Sequence, residues 1–119
     1  MLRNAIARRR KAPSFTERHS GIWRCLFDML MFIIRTFEIT NRLGIHARVA
    51  AKLVETANHF KAEVSLEKDG VEVNGRSILS ILALYCPQGS RLTICTEGVD
   101  AQEAMAAFAL LIADKFGET

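Results

Sequence analysis

The sequence predicts an α+β domain in which helices pack on one face of a single β-sheet. Three observations lead there. Lys61–Glu67 and Arg91–Glu97 alternate apolar and polar residues with a period of two, as half-buried strands do. Ala47–Phe60 and the segment after Asp100 instead repeat apolar residues at helical spacing. Asp69-Gly70 stands between two strand-like runs, and that dipeptide is a strong hairpin signal. In chain order the elements read β-α-β-β-α-β-α.

Each element has its own justification. Phe32–Thr40 is rich in β-branched and aromatic residues, and Phe37 and Ile39 alternate with Thr36, Glu38 and Thr40, so it reads as the first strand. Asn41-Arg42-Leu43-Gly44 reads as a loop. In Ala47–Phe60, the apolar positions Ala50, Leu53, Val54, Ala57 and Phe60 make one helix face. In the second strand Ala62, Val64 and Leu66 lie on one face, and Lys61, Glu63, Ser65 and Glu67 on the other. Val71–Asn74 is a short return strand. Ser77–Leu84 is a brief apolar helix with Ser77 at its start, a preferred capping residue. Pro87 and Gly89 bound a turn before the strand Arg91–Glu97. Asp100 and Glu103 have the spacing of an N-cap and its capping-box partner. Ala104, Phe108, Leu111 and Ile112 form the last helix face, and Gly117 suits a terminator.

The 119 residues carry a formal charge of +3, unevenly spread. Residues 1–30 hold seven basic and two acidic side chains, a net of +5, which leaves −2 for the rest. The domain boundary therefore falls near residue 30: a basic N-terminal extension over 1–30 and the folded domain over 31–119. Arg8-Arg9-Arg10-Lys11 could touch nucleic acid or an anionic membrane. Basic residues before the apolar run from Ile22 to Ile34 also suit a targeting peptide, but that run contains Arg24 and Asp28 and is too short to span a bilayer. A disordered tail is a second reading of the extension. A third is that translation begins at Met29 or Met31, so that the extension is an artefact of start-site choice. Cys25, Cys86 and Cys95 show no paired spacing, which favours reduced, packed thiols in a cytoplasmic protein over a disulfide framework. No His/Cys/Asp/Glu cluster suggests a metal site.

The chemistry concentrates in Gly44-Ile45-His46-Ala47-Arg48, where the first strand gives way to a helix. A helix start presents unpaired N–H groups and the positive end of the dipole, so an anion is held there without a dedicated cage. Neutral imidazole is a fair nucleophile near pH 7. Arg48 adds a forked cation suited to phosphate oxygens. His59 near the helix end suits a solvated residue beside the C-terminal dipole, and His19 lies in the extension.

With Gly44-Ile45-His46-Ala47-Arg48 and Ala50-Ala51, then Gly75-Arg76-Ser77-Ile78-Leu79, then Gln88-Gly89 before the last strand, residues 31 to 117 resemble the HPr family. These are the small histidine phosphocarriers of the bacterial phosphoenolpyruvate-dependent phosphotransferase system. The resemblance implies an open-faced sandwich with a four-stranded antiparallel sheet and three helices on one face. It implies that His46 is phosphorylated on Nδ1 by Enzyme I and passes the group to a histidine of a sugar-specific or regulatory acceptor. Arg48 and the backbone N–H groups of Ala47 and Arg48 would hold the phosphate. Ser77 falls where the family keeps a serine phosphorylated by HPr kinase/phosphorylase, and it equally suits a plain N-cap. Part of the apolar surface of Ile78, Leu79, Ile81 and Leu82 would dock partners; packing explains those residues as well. The expected protein is a cytoplasmic monomeric carrier without cofactor, metal, nucleic acid or membrane span, and not an enzyme with its own turnover. Val49 replaces the family's usual proline, Ser80 a frequent glycine and Tyr85 a frequent small residue. These departures keep open a nitrogen-related or regulatory carrier uncoupled from sugar uptake. A binding module that uses the basic arm, with His46 idle, is the alternative of a different class.

Overall fold

A computed structural model describes residues 31–118. The expectations for residues 1–30, including Cys25 and His19, lie outside the described residues. The elements are β1 (Phe32–Glu38), α1 (Ala47–Asn58), β2 (Glu63–Lys68), β3 (Val71–Asn74), α2 (Ile78–Ala83), β4 (Arg91–Glu97) and α3 (Ala101–Ala113), followed by a 3-10 turn at Lys115–Gly117. The sheet order is β1-β4-β2-β3, and every pairing is antiparallel. This is the open-faced α+β sandwich the sequence predicts.

The two periodicities meet in one core. From α1 come Val49, Ala50, Leu53 and Ala57. Leu66, Leu92 and Ile94 come from the sheet, Ile81 from α2, and Phe108 and Ile112 from α3. Each large aliphatic side chain buried here contributes about 1.5–3 kcal/mol. The hairpin between β2 and β3 is the tight turn expected of Asp69-Gly70: both residues have positive φ, 54° and 85°, the geometry whose twist matches paired strands. On the sheet's other face the Thr36 and Thr93 hydroxyls lie 2.8 Å apart across the β1–β4 pair.

Arg76 ties the second half of the fold to the first. Its Nη2 donates to the carbonyls of Ala57 (2.8 Å), Phe60 (2.7 Å) and Ala62 (3.1 Å). Of these only Ala57 lies in α1, and its oxygen also accepts from the Phe60 N–H at 3.1 Å. Ser77 follows directly and caps α2, its Oγ accepting from the Ser80 N–H at 3.3 Å.

Some local readings are corrected. β1 ends at Glu38 rather than Thr40; Ile39 leaves the ladder but remains fully buried and donates to the Ser90 carbonyl. Ser65, on the face of β2 opposite Val64 and Leu66, is buried as well, in a strand flanked by β3 and β4. Asp100 occupies the N-cap position of α3 but makes no side-chain cap. Its carboxylate instead accepts from the N–H groups of Lys61 and Ala62, both at 2.8 Å, and so clamps the turn before β2. The Lys61 N–H, against a smaller opposing effect of burial and with help from the Ala62 N–H, holds this carboxyl below its ordinary range.

A depressed carboxylate pKa stabilises the fold above the unfolded value, near pH 4, and the contribution is lost as pH falls through the folded value. Asp100→Ala should therefore cost about 1–2 kcal/mol at pH 7. Denaturant melts should show the gap to wild type closing under acid. A gap independent of pH would assign the loss to packing.

Candidate functional site

The site is built by a short loop that carries the chain from β1 into α1. Asn41 is fully buried, and its Nδ2 donates to the Gly44 carbonyl at 2.8 Å, folding the loop on itself. Gly44 has φ +67° and lies against the backbone of Cys86 and Pro87. Ile45 donates to the Cys86 carbonyl at 2.8 Å and sends its side chain into the core. The neighbouring residue, His46, is thereby fixed at the N-cap of α1 with extended backbone, φ −118° and ψ −173°.

This N-cap leaves the helix end open. The His46 side chain makes no capping bond, and the first turn contains no acidic residue. The first helical bond runs from the Ala50 N–H to the His46 carbonyl at 2.8 Å. The N–H groups of Ala47, Arg48 and Val49 therefore have no intrahelical acceptor. Val49 thus brings an N–H where the family's proline has none, while its side chain is fully buried. Arg48 is exposed, and its guanidinium makes no hydrogen bond or ion pair among the described residues. An anion beside His46 would meet the positive end of the helix dipole, open N–H donors and an exposed cation.

The residue missed in the sequence is Glu118. Its Oε2 lies 2.6 Å from His46 Nε2, and its Oε1 accepts from Asn41 Nδ2 at 2.9 Å. The bond from Asn41 does most to keep the Glu118 carboxyl below its ordinary range, with the bond and charge of His46 and the charge of Arg48 adding to it; partial burial opposes them. An ionised Glu118 only accepts. In the neutral ring the proton therefore sits on Nε2 and the lone pair on Nδ1. Nδ1 has no hydrogen-bond partner among the described residues.

Glu118 reaches the site because the chain reverses after α3. Lys115, Phe116 and Gly117 all have positive φ, and Phe116 is buried. Lys52 from α1 donates to the Phe116 carbonyl and pins the turn. Gly117 thus ends the 3-10 turn, whereas α3 itself stops at Ala113, with Asp114 as its C-cap.

The other expected site residues are placed as follows. Ser77 is half-buried at the start of α2, and its hydroxyl donates to Ser80 Oγ at 2.9 Å. Ser80, one of the departures, is thus part of the cap. Leu79 is 80 % exposed and Ile78 partly so, whereas Ile81 is in the core. Tyr85 is exposed with φ 55°, a conformation that favours glycine, which is a physical reason for a small residue at this position. The Lys68 ammonium lies 5.8 Å from its ring centroid. His59 is the exposed C-cap of α1. Cys86 and Cys95 are buried thiols, and burial raises the Cys86 pKa.

An open-sheet α+β fold with a histidine at an uncapped helix start defines a class of small carrier domains, and the comparisons with known proteins give the family. The family model described as the PTS HPr component phosphorylation site matches residues 33–114. The phosphocarrier protein HPr of Cupriavidus necator is 43% identical over 84 residues, which cover 71% of this chain and 94% of that protein. The HPr-like protein Crh of Halalkalibacterium halodurans is 44% identical over 75 residues, 63% of this chain and 89% of the relative. The crystal structure of HPr-C-His from Thermoanaerobacter tengcongensis is similar with a TM-score of 0.71 at 42% identity, covering 73% of this chain and 98% of that one. That of an HPr dimer from the same organism gives a TM-score of 0.59 at 44% identity, covering 69% and 94%. The chain belongs to the HPr family of phosphocarrier proteins of the phosphotransferase system.

Proposed function

We propose that this chain takes a phosphoryl group from phosphorylated Enzyme I on His46 Nδ1 and passes it to a histidine on a sugar-specific or regulatory acceptor. The observation that carries this reading is the Glu118–His46 bond, which occupies Nε2 and leaves Nδ1 free beside an open helix start. In the forward step the Nδ1 lone pair forms the N–P bond while the donor's bond to phosphorus breaks. The ring then carries a substituent at each nitrogen, and Glu118 faces the Nε2–H and stabilises its positive charge. Arg48 and the N–H groups of Ala47 and Arg48 would meet the phosphoryl oxygens. The partly exposed imidazole suits a group that must be handed on.

The exposed part of α2, Ile78 and Leu79, would supply apolar surface for Enzyme I and the acceptors. Ser77 would be the regulatory site if a matching kinase acts on this chain. Its capping role accounts for the residue without one. The reading places the carrier in the cytoplasm as a monomer; no helix among the described residues is long and apolar enough to cross a membrane. The likeness to Crh favours a second branch, a regulatory carrier uncoupled from sugar uptake. Transfer to a sugar-specific or to a regulatory acceptor separates the two.

Incubation with phosphoenolpyruvate and Enzyme I, followed by intact mass at neutral pH, tests the proposal. One acid-labile phosphate is expected. No phosphate, with Enzyme I active on a control carrier, would overturn it. Glu118→Gln should slow phosphoryl acceptance about tenfold at pH 7, because the carboxamide can donate to Nε2 and favour the wrong tautomer. A rate equal to wild type at pH 7 would remove Glu118 from the mechanism.

A further inference from the structure

Asn41 is a fully buried amide in the loop that leads to His46. The turn it opens is closed by backbone: the Asn41 carbonyl accepts from the Gly44 N–H at 3.1 Å. The side chain adds two bonds. Nδ2 has two hydrogens, and they go to the Gly44 carbonyl at 2.8 Å and to Glu118 Oε1 at 2.9 Å. Oδ1 is buried and has no hydrogen-bond partner among the described residues. Both neighbours of Nδ2 are acceptors, so the amide can face only one way. Turned over, it would press its oxygen against a carbonyl and a carboxylate. A buried oxygen left unpaired weighs against the fold. Such a cost, in a turn already closed by its backbone, points to a task outside the turn.

That task is the bond to Glu118, which stands beyond the positive-φ residues Lys115, Phe116 and Gly117. Among the described residues the Glu118 carboxylate has two hydrogen-bond partners: Asn41 on Oε1, and His46 Nε2 on Oε2 at 2.6 Å. The two oxygens are rigidly joined, so an Oε1 held by a buried amide fixes where Oε2 points. Groups one shell behind a working imidazole commonly set its tautomer and orientation in this manner. The bond from Asn41 also does most to lower the Glu118 pKa, and the ionised carboxylate accepts only.

We propose that Asn41 is a positioning residue for phosphoryl acceptance: it grips Glu118 Oε1, aims Oε2 at His46 Nε2 and so keeps the Nδ1 lone pair free. This rests on the reading of His46 as the phosphoryl acceptor. It has a particular consequence for Glu118→Gln. The Asn41 amide must then meet the carboxamide oxygen, which turns the carboxamide nitrogen to Nε2 and drives the ring proton to Nδ1. In that variant Asn41 works against the reaction.

The test crosses the two positions. Ring nitrogen chemical shifts, assigned to His46 by their absence in His46→Ala, report the tautomer, and rapid-quench rates with phosphorylated Enzyme I report acceptance. Asn41→Leu keeps about the same volume and loses the donor. In the wild-type chain it should slow acceptance about threefold, less than Glu118→Gln, because it acts through Glu118. Added to Glu118→Gln, it frees the carboxamide to turn its oxygen to the Nε2–H. Acceptance should then rise about threefold over Glu118→Gln alone, and the ring proton should return to Nε2. Asn41→Ala, made alongside, should show the same reversal of sign and decides the matter if circular dichroism finds Asn41→Leu unfolded. A loss of rate in both chains, with the tautomer of Glu118→Gln unmoved, would overturn the proposal and leave Asn41 as a tie to Gly44. So would wild-type rate and shifts in folded Asn41→Leu. A wild-type chain that takes no phosphate would sink the carrier reading, whereas the shifts, which need no transfer, judge the hold of Asn41 on the ring separately.

Discussion

His46→Ala should take phosphoryl acceptance from Enzyme I to zero while the protein still folds. The loss is expected to be total because nothing can stand in for the imidazole. Among the described residues the other histidine is His59, the C-cap of α1, and His46 is its N-cap. The twelve residues of α1 lie between them, a separation of about 20 Å. Arg48 stays protonated at neutral pH and offers no lone pair. The fold should survive because the His46 side chain lies a third exposed at the edge of the core, and its one hydrogen bond goes to the chain end. A loss of about 1 kcal/mol in a denaturant melt is the expected cost. The measurement pairs intact mass after incubation with phosphoenolpyruvate and Enzyme I with a melt of the same preparation. A folded variant that still gains an acid-labile phosphate would place the acceptor elsewhere. An acid-stable phosphate in the presence of a kinase would point to Ser77, since phosphoserine survives acid.

What could be read from the sequence followed from how locally each feature is determined. The Asp69-Gly70 hairpin, the α1 face and the Ser77 cap each depend on residues within a few positions of one another. The His46–Arg48 pair is local as well, so its helix-start setting could be read directly. Glu118 could not, because the carboxylate is 72 positions from its histidine and arrives through non-glycine residues, Lys115 and Phe116, with positive φ. Local propensity argues against such a turn, and packing of Phe116 in the core overrides it. Asp100 misled for a related reason. A capping-box spacing was present, but the two N–H groups at Lys61 and Ala62 offered its carboxylate a better place. A sequence pattern names the groups able to bond, and tertiary structure selects among the partners.

Gly44→Ala is expected to be the most damaging single-methyl change in the domain, and Gly89→Ala measures why. Both glycines have positive φ, +67° and +92°. Both substitutions therefore carry the cost of a left-handed alanine, about 1–2 kcal/mol. They differ in space. A Cβ on Gly89 meets nothing within 4 Å, whereas one on Gly44 would sit 2.4 Å from the Cys86 carbonyl oxygen and 2.7 Å from Pro87 Cα. These are backbone atoms and cannot rotate away. The loop must shift, which breaks the Ile45–Cys86 bond and draws Ile45 from the core. Gly44→Ala should cost about 3–5 kcal/mol in total, lowering Tm by at least ~12 °C. The Gly89→Ala loss should stay near 1–2 kcal/mol. Function separates them further. His46 is two residues from Gly44, so the folded fraction of Gly44→Ala should accept phosphate slowly even well below its Tm. Gly89→Ala should keep the wild-type rate per folded molecule. Equal losses in the two melts would mean that the close approach to Cys86 and Pro87 does not hold the loop between β1 and α1 in place.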